Sequence, residues 1–539
     1  MWVLAGLAAL VAALYSGVLR LWWTYDDFYA IHVLTVEPRF GYWLRSDAWT
    51  RTQMFTPLLL SSFELDGILA GLVPRAFYVH QLIALTAAAA VLYLVLRLWL
   101  PRFWAAAVSV LFLLGAPTVN WVQEILVRHY TEGLIAALVS VGSFTVACRR
   151  SDARLVGLSA LTYLVAMLAK EVYVPLIALL AVLPEGSGRR RAAWLSRTHL
   201  PALAIYVAWR CVATGALVGG YGWTVTPREM PELLAGLPLR ITRSWLGGPS
   251  AWGVLLIATI AVAVLAGFWA RPRALAMTGF GFLLASLPVL PVSKTFHLRY
   301  GGLPWLAACL ALGFGGWSLA ARGLRRASLV AGLLVGVATV SALVVNRGVW
   351  DERQRAAERM SAEETFYLGM SANDVLRQPL APPAAMKELR WYKENVLGGA
   401  AGARWFEDDF FACAGGTNAS RVWGWDSRRK AVVDMTVELR DSAGTYCRDL
   451  RPAALSAEFA HRDGNLLWTL GPYEAGRYSF ILDDGVERFD VRRQDGYRNG
   501  PPRLSLRVRY ESPEGWVTYS PELNLDLADA KSMRWERHG

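Results

Sequence analysis

Of 539 residues, 55% are hydrophobic and only 18% are charged, and the formal net charge is +12. A chain this apolar is a polytopic membrane protein with a sizeable polar portion, which excludes an ordinary soluble enzyme. The positive charge would suit nucleic acid, but the arginines before about residue 345 gather in short clusters between apolar runs, as membrane topology requires, so no nucleic-acid partner is expected.

The first apolar run, about 2–21, has neither a basic stretch before it nor a small-residue cleavage site after it, and reads as a retained first helix. Directly behind it stands Tyr25-Asp26-Asp27-Phe28-Tyr29. Adjacent carboxylates at the mouth of a membrane helix must be solvated, paired or used. They repel one another and should titrate as a unit, which suits a general base or a cation site; a helix cap in water is the plainer alternative. The loop over 24–75 is too long for a turn. It mixes Trp43, Leu44, Trp49, Phe55 and Leu58 with Arg39, Arg45 and Arg51, and so predicts short amphipathic helices on the membrane surface. Its arginines either meet lipid phosphates or face water.

Further apolar runs fall near 76–100, 104–121, 131–148, 154–170, 172–184, 199–218, 251–270, 274–291, 303–321 and 328–345. With the first they predict about eleven spans. Alternate short loops carry Arg97 and Arg102; Arg149, Arg150 and Arg154; Arg189, Arg190, Arg191 and Arg197; Arg271 and Arg273; and Arg322, Arg325 and Arg326. Arginine concentrated in short loops marks the cytoplasmic side. Asp26 and Asp27, the stretch 124–129, Lys170-Glu171, the stretch 294–300 and the whole C-terminal region then share the opposite, outer side.

Three of these clusters have chemistry to offer. Glu124, Arg128 and His129 share a helix face by spacing, either as a surface helix with an internal salt bridge or as a contact to acceptor or donor. Lys170-Glu171 interrupts two apolar runs, either as a structural ion pair or as a lysine on a phosphate with a glutamate orienting it. Lys294, His297, Arg299 and Tyr300 precede a span and suit a phosphate or diphosphate; an interfacial belt of basic and aromatic residues is the alternative. There is no phosphate loop, dinucleotide fingerprint, nucleophile elbow or zinc spacing, and Cys148, Cys211 and Cys309 lie in or beside apolar runs as packing residues.

Beyond the 1–345 membrane module the composition changes. Residues 346–399 predict a helical linker region, charged over 351–360 and carrying three prolines over 378–385. Residues 400–539 predict a mainly-β extracytoplasmic domain packed as a sandwich. Val433, Met435, Val437 and Leu439 alternate with polar neighbours, 478–482 and 486–491 read as a hairpin, and Leu504, Leu506 and Val508 alternate again. Cys413 and Cys447 are expected to pair as a disulfide in an oxidising compartment. Trp405, Trp423, Trp425 and Trp468 are candidates to stack on sugars, although most should be core.

In order and sidedness, Asp26-Asp27 after the first helix, the long loop behind them, Lys170-Glu171 at a middle helix end and Arg299-Tyr300 before a late helix resemble the polytopic glycosyltransferases of the GT-C superfamily, such as protein O-mannosyltransferases and bacterial aminoarabinose transferases. The resemblance covers about residues 1–345. It implies an α-helical polytopic membrane protein of the bacterial inner membrane that moves a sugar from a polyprenyl-phosphate donor to a glycan, lipid or protein acceptor on the outer face. It also implies Asp26 as base, Asp27 holding it or a divalent cation, and Lys170, His297 and Arg299 on the leaving phosphate. Metal use differs among relatives. Two readings of other classes stay open: a transporter or flippase of lipid-linked sugars, which should show paired halves and polar residues at mid-membrane, and a non-catalytic envelope protein that binds glycan or assists assembly.

Overall fold

A computed structural model of the chain describes all residues except 1, 25–26, 45–48, 50–53, 218–229, 247, 249, 271, 291–295, 323–324, 382, 400–403, 407–420, 440–446, 463–464, 483–486, 499–502, 528–531 and 539. Asp26, Arg51, Lys294 and Cys413 lie outside the described residues. The chain divides into two units, Met1–Ala357 and Glu358–Gly539.

The first unit is helical, and each apolar run of the sequence becomes helix. In chain order the helices are α1 (Trp2–Tyr15), α2 (Asp27–Val36), α3 (Pro57–Ala70), α4 (Pro74–Leu96), α5 (Arg102–Leu113), α6 (Ala116–Gln123), α7 (Arg128–Arg150), α8 (Ala153–Ala169), α9 (Leu176–Val182), α10 (Gly188–Trp194), α11 (Leu200–Thr214), α12 (Met230–Leu246), α13 (Ala251–Ala270), α14 (Pro272–Ser286), α15 (Gly302–Ala320) and α16 (Arg325–Gly369). The short helices expected in the 24–75 loop are α2 and α3, and Tyr42, Trp49 and Phe55 of that loop are buried, with Trp49 Nε1 donating to Tyr42 O at 2.7 Å.

Length separates these helices. Among the described residues, five segments are long and apolar enough to cross a membrane: Trp2–Arg20, Pro74–Leu96, Ile125–Arg150, Leu298–Ala320 and Arg326–Gly369. Arg102–Leu113 and Ala116–Gln123 make a sixth only if the pair, bent by 60°, is one span. These five or six segments among the described residues do not establish about eleven spans, and some apolar runs, such as 154–170, fold there as shorter helices. The 17 residues of α8 rise only about 25 Å, against about 30 Å of hydrocarbon. The bend has a local cause. Pro117 in the first turn of α6 has no N–H to extend α5, and Trp305 lies so close that a Cβ on Gly115 would sit 2.2 Å from its Nε1.

In the second unit, α16 runs unbroken to Gly369 through the first part of the expected linker. Of the prolines that suggested a linker, Pro383 opens α17 (Pro383–Asn395), where a missing N–H costs nothing at the first turn. This helix joins β1 (Asp374–Arg377) to β2 (Arg404–Phe406), which pair in parallel, and β3 (Arg421–Asp426) also runs parallel to β1. The sheet order is β2-β1-β3-β4, with β4 (Ala431–Asp434) antiparallel to β3. The alternation seen to Leu439 stops at Asp434, whose carboxylate accepts the Thr436 N–H at 2.9 Å and turns the chain into a helical turn.

The remaining strands are β5 (Leu455–Arg462), β6 (Asn465–Gly471), β7 (Arg477–Leu482), β8 (Glu487–Val491), β9 (Gln494–Arg498), β10 (Arg503–Glu511), β11 (Val517–Tyr519), β12 (Leu523–Asp526) and β13 (Ser532–Arg537). They form two sheets, β11-β10-β7-β8 with β12 on β10, and β13-β5-β6-β9. Inward side chains of both, among them Phe459, Trp468, Phe480, Leu506 and Val508, make one core, as in a sandwich. The hairpin is β7–β8, with Tyr478 opposite Val491. Cys447 is disulfide-bonded, and Cys148, Cys211 and Cys309 are free. Trp405 and Trp468 are core residues. Trp423 and Trp425 share a face of β3 and are half-buried, Trp423 against Phe366 and Trp425 under the Arg359 guanidinium.

Candidate functional site

The site grows out of one interruption. Helix α6 ends at Gln123, a three-residue 3-10 turn spans Ile125–Val127, and α7 starts afresh at Arg128. Backbone donors at such a break need acceptors. Asp27, fully buried, supplies one: its Oδ1 accepts the Leu126 N–H at 2.8 Å, while its Oδ2 accepts the Thr24 N–H at 3.0 Å. Asp27 is thus tied to the 124–129 stretch.

The break also parts the three residues that helical spacing placed on one face. Arg128 is enclosed. Its guanidinium donates to Asp66 Oδ2 at 2.5 Å, Ser62 Oγ at 3.0 Å, Phe77 O at 2.7 Å and Gln81 Oε1 at 3.3 Å, with the Phe63 and Phe77 rings 5.1 and 5.8 Å away. It binds α3, α4 and α7 together rather than pairing with Glu124. Glu124 instead joins elements from far along the chain. Its Oε2 accepts from Arg299 Nη1 at 2.9 Å, and its Oε1 from Arg353 Nη2 at 2.6 Å and Asn120 Nδ2 at 2.5 Å.

Arg299 sits in the 3-10 turn Leu298–Gly301 that opens α15. Two indoles fix that turn: Trp121 Nε1 donates to Arg299 O at 3.0 Å, and Trp245 Nε1 to Gly301 O at 3.2 Å. Only glycine fits next in line, because a Cβ on Gly302 would lie 2.2 Å from Trp121 Cζ2. The Arg299 guanidinium lies 5.5 Å from the ring of buried Tyr300, and His297 meets the same ring edge-on at 5.8 Å.

Lys170 and Glu171 fall at the break between α8 and a 3-10 turn, Glu171–Tyr173. Lys170 is 3% exposed; its Nζ is 3.1 Å from Glu171 Oε1, 4.0 Å from Met54 Sδ and 6.0 Å from the Tyr130 ring. Tyr130 stacks on Trp121, which carries the contact on to Arg299. His129 packs its ring 4.7 Å from Tyr130 and feels the charges of both Lys170 and Arg299, and its buried Nδ1 has no hydrogen-bond partner among the described residues. Glu171 feels Arg210 as well as Lys170.

The structure therefore gathers Asp27, Glu124, His129, Lys170, Glu171, Arg299 and Tyr300 around one stretch of α6–α7, with His297 beside Tyr300. It turns Arg128 away. Sequence reading missed Arg353, which nothing marked beyond a charged helical stretch, and Arg210, whose place inside the apolar run 199–218 was itself a signal. No group of three or more His, Cys, Asp or Glu side chains able to hold a metal occurs among the described residues.

Beside this cluster lies a cavity of about 660 Å³ lined almost wholly by apolar side chains of α4, α7, α9, α14 and α15. Leu134 and Leu138 follow His129 on α7; Tyr173 and Leu176 follow Lys170-Glu171; Leu303 and Leu306 follow Arg299-Tyr300.

No protein-family model and no curated protein matches the chain. Among solved structures it is similar to ArnT from Cupriavidus metallidurans bound to undecaprenyl phosphate, with 13% identity over 81% of this chain and 98% of that one and a TM-score of 0.43. It is also similar to the oligosaccharyltransferase of Archaeoglobus fulgidus in complex with zinc and sulfate, with 10% identity over 87% of this chain and 72% of that one and a TM-score of 0.46.

Proposed function

We propose that this chain transfers a sugar from a polyprenyl-phosphate-linked donor to an acceptor hydroxyl at the outer face of the membrane. One observation carries the reading. Three elements each begin with polar or cationic side chains of the cluster, and each lines the apolar cavity within about three turns of that start. That is the shape of an amphiphile with an anionic head and a long apolar tail. Helices α7 and α15 both begin in the cluster, and helix starts carry partial positive charge that favours an anion.

The chemistry divides among the residues as follows. Asp26 takes the proton of the acceptor hydroxyl; that oxygen attacks the anomeric carbon of the sugar, and the bond from that carbon to the phosphate oxygen breaks, leaving its electron pair on phosphate. Lys170, Arg299 and His297 lie on the leaving phosphate, where preorganised donors lower the barrier most. Asp27 is held by the Thr24 and Leu126 N–H groups. A divalent cation beside Asp26 and Asp27 would assist the same departure. The test is Asp26→Asn in membranes or detergent: it keeps the protein at wild-type level and abolishes sugar transfer from a polyprenyl-phosphate donor. Undiminished transfer would remove the base.

A further inference from the structure

We infer that Arg353 is a second phosphate-gripping residue, set beside Arg299 by the carboxylate they share, so that the two guanidiniums form a clamp for the head group of a lipid phosphate. This rests on the donor chemistry proposed above and deepens it. Glu124 is 11% exposed at its side chain and gives one oxygen to each arginine. The carboxylate thus holds the two guanidiniums side by side, one on each oxygen. Arg353 also donates Nε to Gln123 Oε1 at 3.2 Å. A guanidinium has five N–H groups, and the Nε bond and the Nη2 bond to Glu124 leave others to meet a ligand. Its side chain is 26% exposed and that of Arg299 17%, so both are reachable without being loose.

The seat is preorganised. Gln354, next along α16, accepts from Gln123 Nε2 at 3.4 Å and donates to Gly17 O at 3.4 Å, which locks this turn of α16 against both α6 and the end of the first helix. Arg353 thus cannot swing out without breaking neighbouring contacts. Paired planar forks match a tetrahedral phosphate bidentately in a way that one ammonium does not. Glu124, with both oxygens engaged, is a positioning residue for the clamp and not a base.

The test measures binding to full-length protein in detergent, with undecaprenyl phosphate, the same polyprenol without phosphate, and phosphatidylglycerol as separate probes. Arg353→Gln should weaken undecaprenyl phosphate about ten- to a hundredfold and leave the polyprenol unchanged. Arg353→Lys should fall between, keeping charge and losing the fork, and it carries the test if the glutamine variant does not fold. Wild-type protein that binds undecaprenyl phosphate no better than polyprenol would overturn both the donor reading and the clamp. Wild-type binding that both variants preserve would overturn the clamp alone, leaving Arg353 a mere counter-ion of Glu124. Equal binding and equal loss with phosphatidylglycerol would make the clamp a general lipid-phosphate seat and overturn its assignment to the donor.

Discussion

Replacing Lys170 by methionine separates a phosphate contact from a structural ion pair. Methionine keeps the apolar stem against Tyr130 and Met54 and removes only the charge. Two costs can then be compared. Lys170 is almost wholly buried, but its partner Glu171 is 29% exposed and also feels Arg210. Losing the pair therefore falls between the value of an exposed pair, about 0–1 kcal/mol, and that of a fully buried one, about 3–5 kcal/mol, and nearer the former. We expect about 1–2 kcal/mol of stability on that scale. If Lys170 lies on the leaving phosphate, the loss in transition-state stabilisation is larger, about 2.7–4 kcal/mol, or 10²–10³ in kcat. The assay pairs thermal unfolding of purified protein with transfer from a polyprenyl-phosphate sugar under saturating donor. Lys170→Arg should recover part of the rate. A Lys170→Met variant with kcat within about threefold of wild type, or one whose lost activity tracks its unfolded fraction, would refute the assignment.

Arg128→Ala should cost about 3 kcal/mol, the low end for breaking a buried pair, because Asp66 Oδ2 loses its guanidinium while Oδ1 keeps His80 at 2.7 Å; thermal unfolding measures this, and the donor affinity of the folded fraction should not change. Asp27→Ala should leave the Leu126 and Thr24 N–H groups without their carboxylate acceptor, speed hydrogen exchange at both and slow transfer; unchanged exchange would show that the carboxylate pins nothing. Glu185 lies outside the spans, and its hydrogen bonds and ion pair with Arg149 lower its carboxyl pKa. A lowered carboxyl stabilises the fold above the unfolded value, about 4.3, and loses that contribution as pH falls through the folded one. The difference in unfolding temperature between wild type and Glu185→Gln should thus hold steady from pH 8 to about 5 and shrink in stronger acid.

What the sequence revealed and what it hid have physical reasons. Apolar length and interruption are local properties, so all the runs surfaced as helices, and the charged interruptions at Lys170-Glu171 and Arg299-Tyr300 marked helix ends correctly. Pairings across the chain were not readable. Spacing paired Glu124 with Arg128, because periodicity assumes one continuous helix and the chain breaks at 124–127; each residue then took a partner from elsewhere, Arg299 and Arg353 for one and Asp66 for the other. Arg353 looked like any charge on a solvated helix until the fold set it on Glu124. In the second unit, alternation over 433–439 promised a longer strand, but the Asp434 cap ended it, and Pro383, one of the prolines that read as linker, sits where a helix start tolerates it.

The most direct measurement is an experimental structure with a polyprenyl phosphate bound. The account requires the phosphate within hydrogen-bond reach of Lys170 and Arg299, with the isoprenoid chain entering the cavity past Leu134, Tyr173 and Leu306. A phosphate seated at the Arg273 end of that cavity, or a chain lying wholly outside it, would contradict the account.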